Sequence, residues 1–108
     1  MLEWYRHLYT GKKIRPRLGE VIGKLNDGIP VSNVYLITRA TSPHNQLDII
    51  SSFYLLQKTV ERRLPEVVGL ALGREEAIEL VADIVREVYE ATGEAEIKDY
   101  LGSSGIPM

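Results

Sequence analysis

Two short and almost wholly apolar runs constrain the fold of this chain more than any other feature of its sequence. The first lies inside residues 31–40, VSNVYLITRA, and the second is residues 66–73, EVVGLALG. Runs of this length and composition are typical of β-strands that are buried on both faces. A helix is predicted between them, and a strand–helix–strand unit forms a parallel pair with a right-handed crossover. The sequence therefore predicts a parallel sheet.

Helical periodicity predicts four further segments. Residues 2–9 carry leucine and aromatic side chains at roughly helical spacing. A second helix is predicted from Pro16, which suits a first helical turn, to Gly28, which suits a left-handed stop. Residues 49–64 repeat apolar side chains at every third or fourth position, and residues 74–92 combine a broad apolar face with an acidic one. Each segment is expected to lie with one side against the sheet.

These elements give the order α-α-β-α-β-α and an α/β fold in which helices cover a small parallel sheet of two to three strands. Parallel sheets need cover on both faces, and the predicted helices can supply it. Because two strands make a small sheet, we expect either a third strand, with residues 47–50 and 96–101 as candidates, or a second subunit that completes the layer. Residues 1–101 are expected to form a single α/β domain and residues 102–108 a flexible C-terminal tail.

Composition narrows the class of protein. The chain of 108 residues is 44% hydrophobic and 26% charged, which is typical of one globular domain. Its net charge of −2 does not favour a dedicated nucleic-acid binder. The absence of cysteine excludes disulfides, thiol nucleophiles and thiolate metal sites. No apolar stretch approaches membrane-spanning length and the first residues lack a secretory pattern, so we expect a soluble cytoplasmic protein.

The polar stretch TSPHNQLD, residues 41–48, is the best candidate for a small-molecule site. In a parallel sheet it would lie beside the start of the last helix, because ligands bind beyond the carboxyl ends of such strands. Turn and helix-cap chemistry is the alternative, since Ser, Pro, Asn and Asp accumulate where a strand leads into a helix. The candidate pocket residues are Thr41, His44, Asn45, Asp48 and Arg74.

The same stretch leaves open a small enzyme, although the motifs of common catalytic sites are missing. Ser42, His44 and Asp48 are close in sequence, but a catalytic triad is defined by geometry, and the chain has no G-x-S-x-G elbow. The chain also lacks the glycine-rich phosphate-binding patterns. Its two histidines, His7 and His44, are not at the spacing of a metal site. We therefore assign no catalytic residue, cofactor or metal, and the balance is against an enzyme.

One basic run, KKIRPR, offers an alternative binding surface through Lys12, Lys13, Arg15 and Arg17. Residues 1–30 carry a net charge of +3 and residues 31–108 a net charge of −5. Lysine and arginine side chains can meet the phosphates of a nucleic acid or of a smaller ligand. The alternative is that this run packs near the acidic helix of its own chain or of a partner chain. Nucleic acid is the less favoured partner.

Aromatic residues near the N-terminus suggest an interface. Trp4, Tyr5 and Tyr9 fall in the first predicted helix, and aromatic side chains are enriched where proteins contact one another. Together with the shortage of strands, they favour a homodimer or a higher homo-oligomer.

The chain also resembles a family of small uncharacterised bacterial proteins with no assigned activity. The resemblance rests on the pieces VYLITRA, NQLDII, LLQK, VVGLALGREEAIELV, REVYEATG and IKDYL, which lie between residues 34 and 101. It implies a bacterial cytoplasmic setting and transfers no catalytic residue. The sequence as a whole predicts a non-enzymatic binding or protein-interaction module that self-associates.

Overall fold

The structure is a computed structural model that describes residues 2–40, 46–56 and 65–93 together with Leu101. Two α-helices, four strands and two short 3-10 helices make up the described ranges. In chain order these are β1 (Trp4–Thr10), a 3-10 helix (Arg15–Arg17), α1 (Leu18–Asn26), β2 (Val34–Arg39), β3 (Leu47–Ser51), a 3-10 helix (Ser52–Leu56), β4 (Val67–Leu72) and α2 (Arg74–Thr92). None of the helices in these ranges has both the length and the hydropathy needed to cross a membrane.

The four strands form one mixed sheet in the order β1-β4-β2-β3. β2 is antiparallel to both of its neighbours, β3 and β4, and only the β1–β4 pair is parallel. The predicted fold, a parallel sheet of two to three strands in the order α-α-β-α-β-α, is therefore wrong. β2 and β4 are adjacent strands as expected, but β3 turns the chain back along β2 before β4 is reached, and β2 and β4 are antiparallel.

The first predicted helix is the edge strand β1. Its pairing with β4 shifts register between Trp4 and Tyr9, where five residue steps of β1 face two steps of β4. The side chains of β1 still alternate between the two faces of the sheet: Trp4 and Leu8 pack on one side, whereas Tyr5 and Tyr9 pack on the other. Because both faces carry apolar side chains and residues 6 and 7 between them are exposed, the combined spacing imitates a helical period, which explains the wrong prediction.

The helix predicted for residues 49–64 does not begin where its periodicity indicated. Ile49 and Ile50 are consecutive residues of β3 that pack on opposite sides of the sheet. β3 includes residues 47–50, one of the two candidates for an additional strand. Residues 57–64 lie outside the described ranges, as do residues 96–100 of the other candidate and the predicted tail 102–108.

The two α-helices cover the two faces of the sheet. α1 buries Val21 and Leu25 against side chains of β2 and β4, and α2 buries Leu80, Ile84 and Val88 on the opposite face. Both helices were predicted from their apolar stripes, and α2 stops at a left-handed glycine, Gly93, as expected. The result is a three-layer α/β/α arrangement with an apolar core on each side of the sheet.

Candidate functional site

The structure describes two of the five residues of the predicted pocket, Asp48 and Arg74, and it places them apart. Asp48 pairs with Thr38 near one end of β2, whereas Arg74 follows Leu72, which pairs with Val34 at the other end. The cleft was predicted from parallel strands with adjacent exits, and the antiparallel pairing removes that premise. The remaining three candidates, Thr41, His44 and Asn45, lie outside the described residues.

The three aromatic interface candidates make contacts within their own chain. The indole Nε1 of Trp4 donates a hydrogen bond of 2.8 Å to Oδ1 of Asn26. The Tyr5 and Tyr9 rings stack with their centroids 6.2 Å apart, and the Tyr9 hydroxyl donates to Oε2 of Glu87 at 2.6 Å. These side chains therefore join β1 to α1 and α2, and their use by a partner stays a prediction.

A groove of about 450 Å³ lies between the segment that follows β1 and the acidic side of α2. We call it the charged groove. Three of the four basic-run candidates line it, and α2 supplies three carboxylates and one guanidinium. Its lining consists of Thr10, Gly11, Lys12, Lys13, Arg15, Glu76, Glu79, Leu80, Ala82, Asp83 and Arg86.

Glu76 builds the floor of the charged groove. Its side chain is buried, and each carboxylate oxygen accepts one backbone N–H at 2.8 Å, Oε1 from Lys13 and Oε2 from Leu72. A side chain at position 11 would collide with this carboxylate, so Gly11 permits the close approach. Glu76 thereby ties the segment after β1 to the end of β4, and its lone pairs are already engaged by the backbone.

The rim of the charged groove carries both signs of charge. Arg15 donates to Thr10, at 3.2 Å from Nε to Oγ1, and Arg86 pairs with Asp83 at 3.2 Å. Within the described residues, the basic run and α2 form no ion pair. The fourth basic candidate, Arg17, points elsewhere, since it pairs with Glu20 of α1 at 3.5 Å. Among the described residues, Lys12 and Lys13 therefore line the groove without an ion-pair partner.

A second surface lies along α2. Ile78, Ala82, Val85 and Tyr89 form a row at spacings of four, three and four residues, which we call the α2 stripe. Ile78 is 50% exposed and Tyr89 is 60% exposed. Ile78 and Tyr89 belong to the broad apolar face predicted for residues 74–92, and they are exposed because this apolar arc is wider than one neighbouring layer covers. Spacing alone does not separate the exposed row from the buried one, because the buried residues Ala77, Leu80, Ile84 and Val88 also recur at intervals of three and four.

The sequence also gave no sign of a buried ion pair at the far end of β2. Arg39 Nε lies 2.8 Å from Oε1 of Glu66, and the two side chains are 13% and 3% exposed. The Arg39 guanidinium also lies over the Tyr5 ring, 5.9 Å from its centroid. This pair fixes the end of β2 to the start of β4 and supports the bulged part of β1.

Within the described ranges, no group of three or more His, Cys, Asp or Glu side chains is arranged to hold a metal ion. No protein-family model, curated protein or solved structure matches this chain. The charged groove and the α2 stripe are the two candidate binding surfaces of the described residues.

Proposed function

We propose that this protein is a non-enzymatic protein-interaction module that self-associates. The observation that supports this proposal is the exposure of two large apolar side chains, Ile78 and Tyr89, on the α2 stripe, where Val85 between them is half-buried against the core. Full burial of one large apolar side chain contributes about 1.5–3 kcal/mol. Contact between two such stripes would therefore favour association.

The sheet does not lack strands. The sequence predicted too few strands for a complete layer, but the sheet has four strands and a helix on each face. The exposed apolar side chains of α2 are therefore the feature that supports self-association. The bacterial and cytoplasmic setting also stays a prediction.

Sedimentation velocity and light scattering over a wide range of protein concentration test the proposal. We expect the mean mass to rise with concentration, and Tyr89→Ser to weaken this rise. Tyr54→Ser is the matched control, because Tyr54 is 40% exposed but lies outside the α2 stripe. A monomer mass at every concentration would refute self-association.

A second candidate function is the binding of a phosphate-bearing ligand in the charged groove. Lys12 and Lys13 support it, since both line the groove and neither side chain forms an ion pair within the described residues. The nearby Glu79 opposes it by repelling anions.

Titration of inorganic phosphate and of single-stranded RNA, each at several salt concentrations, tests this candidate. Binding through phosphates weakens steeply with salt. Lys12→Ala combined with Lys13→Ala should remove it, whereas Lys24→Ala, a lysine of α1 paired with Glu20, should leave it unchanged. A lack of affinity even at low salt would eliminate this function.

A further inference from the structure

We propose that the charged groove binds an acidic amino acid, a small ligand with two carboxylates and one ammonium group. The proposal goes beyond self-association and concerns the groove of the second candidate function. That candidate accounts for the basic run but not for the carboxylate of Glu79, which repels a plain anion. A ligand that also carries a positive charge makes the same carboxylate a binding group.

The charged groove has the size of a small-molecule site and a lining that is mostly polar. Its volume of about 450 Å³ lies within the range of roughly 300–1,000 Å³ that is common for such sites. Apart from Leu80 and Ala82, every side chain in this lining is polar or charged. A ligand would therefore be held by its charges and hydrogen bonds rather than by the burial of apolar surface.

Opposite charges line the groove without pairing across it. Lys12, Lys13 and Arg15 lie on the segment after β1, and Glu79 lies on α2. In the part of the chain that the structure describes, none of these four side chains forms an ion pair. Opposite charges that line one cavity but stay apart leave room between them for a ligand that contacts both. The groove thus offers positive partners on one side and a negative partner on the other.

The other charged groups of the lining are already engaged. Each oxygen of the Glu76 carboxylate accepts a backbone N–H, and Asp83 pairs with Arg86 at 3.2 Å. Among the described residues, Glu79 is thus the carboxylate of the lining that has no partner. The lining holds four cationic side chains and three carboxylates, a net charge of +1. A ligand of net charge −1, such as glutamate at neutral pH, balances this charge.

Glutamate matches the unpaired groups in number as well as in sign. Its two carboxylates can pair with Lys12 and Lys13, and its ammonium group can pair with Glu79. These side chains are exposed, and exposed ion pairs contribute little individually and are screened by salt. We therefore expect a dissociation constant on the order of 1 mM that rises with salt concentration.

Titration of the isotope-labelled protein followed by NMR tests the proposal, at constant ionic strength and at one low protein concentration. Glutamate should shift the backbone amide signals of residues 10–15 and 76–86, which include the groove lining, and leave those of α1 unchanged. Glutarate is the matched ligand, because it keeps both carboxylates and lacks the ammonium group. It should bind roughly two- to five-fold more weakly than glutamate.

Two charge-neutralising variants connect this preference to one side chain. Glu79→Gln should abolish the preference for glutamate over glutarate. Glu75→Gln should keep it, since Glu75 is an exposed residue of the same helix that does not line the groove. Both positions are exposed, and the amide spectrum of each variant shows directly whether its fold is intact. Lys12→Ala combined with Lys13→Ala should weaken the binding of both ligands.

The outcomes separate this proposal from the functions proposed above. If glutarate or inorganic phosphate binds as tightly as glutamate, the groove takes plain anions, which refutes the acidic amino acid and leaves the second candidate function in place. A preference for glutamate that persists in Glu79→Gln, or amide shifts that lie outside the groove, also refutes the proposal. No shift with any of the three ligands eliminates both uses of the groove. Self-association is measured separately by sedimentation and stands or falls on that result.

Discussion

Replacing Glu76 by alanine tests most directly whether its buried carboxylate stabilises the charged groove. The change leaves two backbone N–H groups, those of Lys13 and Leu72, without their acceptor. An unsatisfied buried donor costs about 1–3 kcal/mol, and water can reach part of this site, so we expect a loss of about 2–4 kcal/mol in the free energy of unfolding. That is a large part of the 5–15 kcal/mol that is roughly typical of a domain.

Denaturation in urea measures this loss, and two further variants make it specific. Glu76→Gln keeps one acceptor oxygen but turns an amide NH₂ toward the other donor, so we expect a loss of about 1–3 kcal/mol. Glu79→Ala is the matched control, one turn along the same helix and exposed, with an expected change within about 0.5 kcal/mol. Equal midpoints for Glu76→Ala and Glu79→Ala would refute a structural role for the buried carboxylate.

Three further substitutions probe close contacts, each followed by the same denaturation assay. Gly11→Ala should cost about 1–3 kcal/mol by overpacking, and less in the Glu76→Ala background, because the obstructing side chain is then absent; simple additivity would contradict the contact. Arg39→Met should cost about 3–5 kcal/mol, since it leaves the buried Glu66 carboxylate unpaired, and a neutral result would refute that pairing. Ser52→Ala removes a buried hydroxyl that makes two backbone hydrogen bonds and should cost about 2 kcal/mol; an unchanged midpoint would contradict this role.

The parts of the fold that the sequence predicts well are those that depend on local pattern. α2 has a long apolar period and a glycine at its end, and both its extent and its stop at Gly93 are confirmed. β2 and β4 are apolar runs and are confirmed as strands. The prediction that these two strands are parallel was wrong, because the relative direction of two strands depends on the chain that connects them. Ile49 and Ile50 lie in that connection and were assigned to a helix, whereas they belong to the strand β3.

The prediction of a helix for residues 2–9 was wrong for a different reason, since these residues contain the strand β1. β1 carries apolar side chains on both of its faces, Trp4 and Leu8 on one and Tyr5 and Tyr9 on the other, so it lacks the alternation of apolar and polar residues that marks a half-buried strand. Its pairing with β4, which lies far away in sequence, is not visible in any local pattern either. A propensity argument is weak where tertiary contacts decide the structure.

The charged groove was predictable in part. The sequence indicated that the basic run could pack near the acidic helix of its own chain, and Lys12, Lys13 and Arg15 do line a groove with that helix. It did not indicate which carboxylate would turn inward. Glu75, Glu76 and Glu79 all suit the first turns of a helix, and only the approach of the segment after β1 selects Glu76.

The parallel pairing of β1 with β4 has a consequence for how the chain acquires its structure. Trp4 and Val67 are neighbours in the sheet but are separated by about 60 residues of chain. A contact between such distant positions is entropically expensive to close and slows folding. During translation the first strand must wait without its partner until β4 has left the ribosome, so the N-terminal edge of the sheet is completed late.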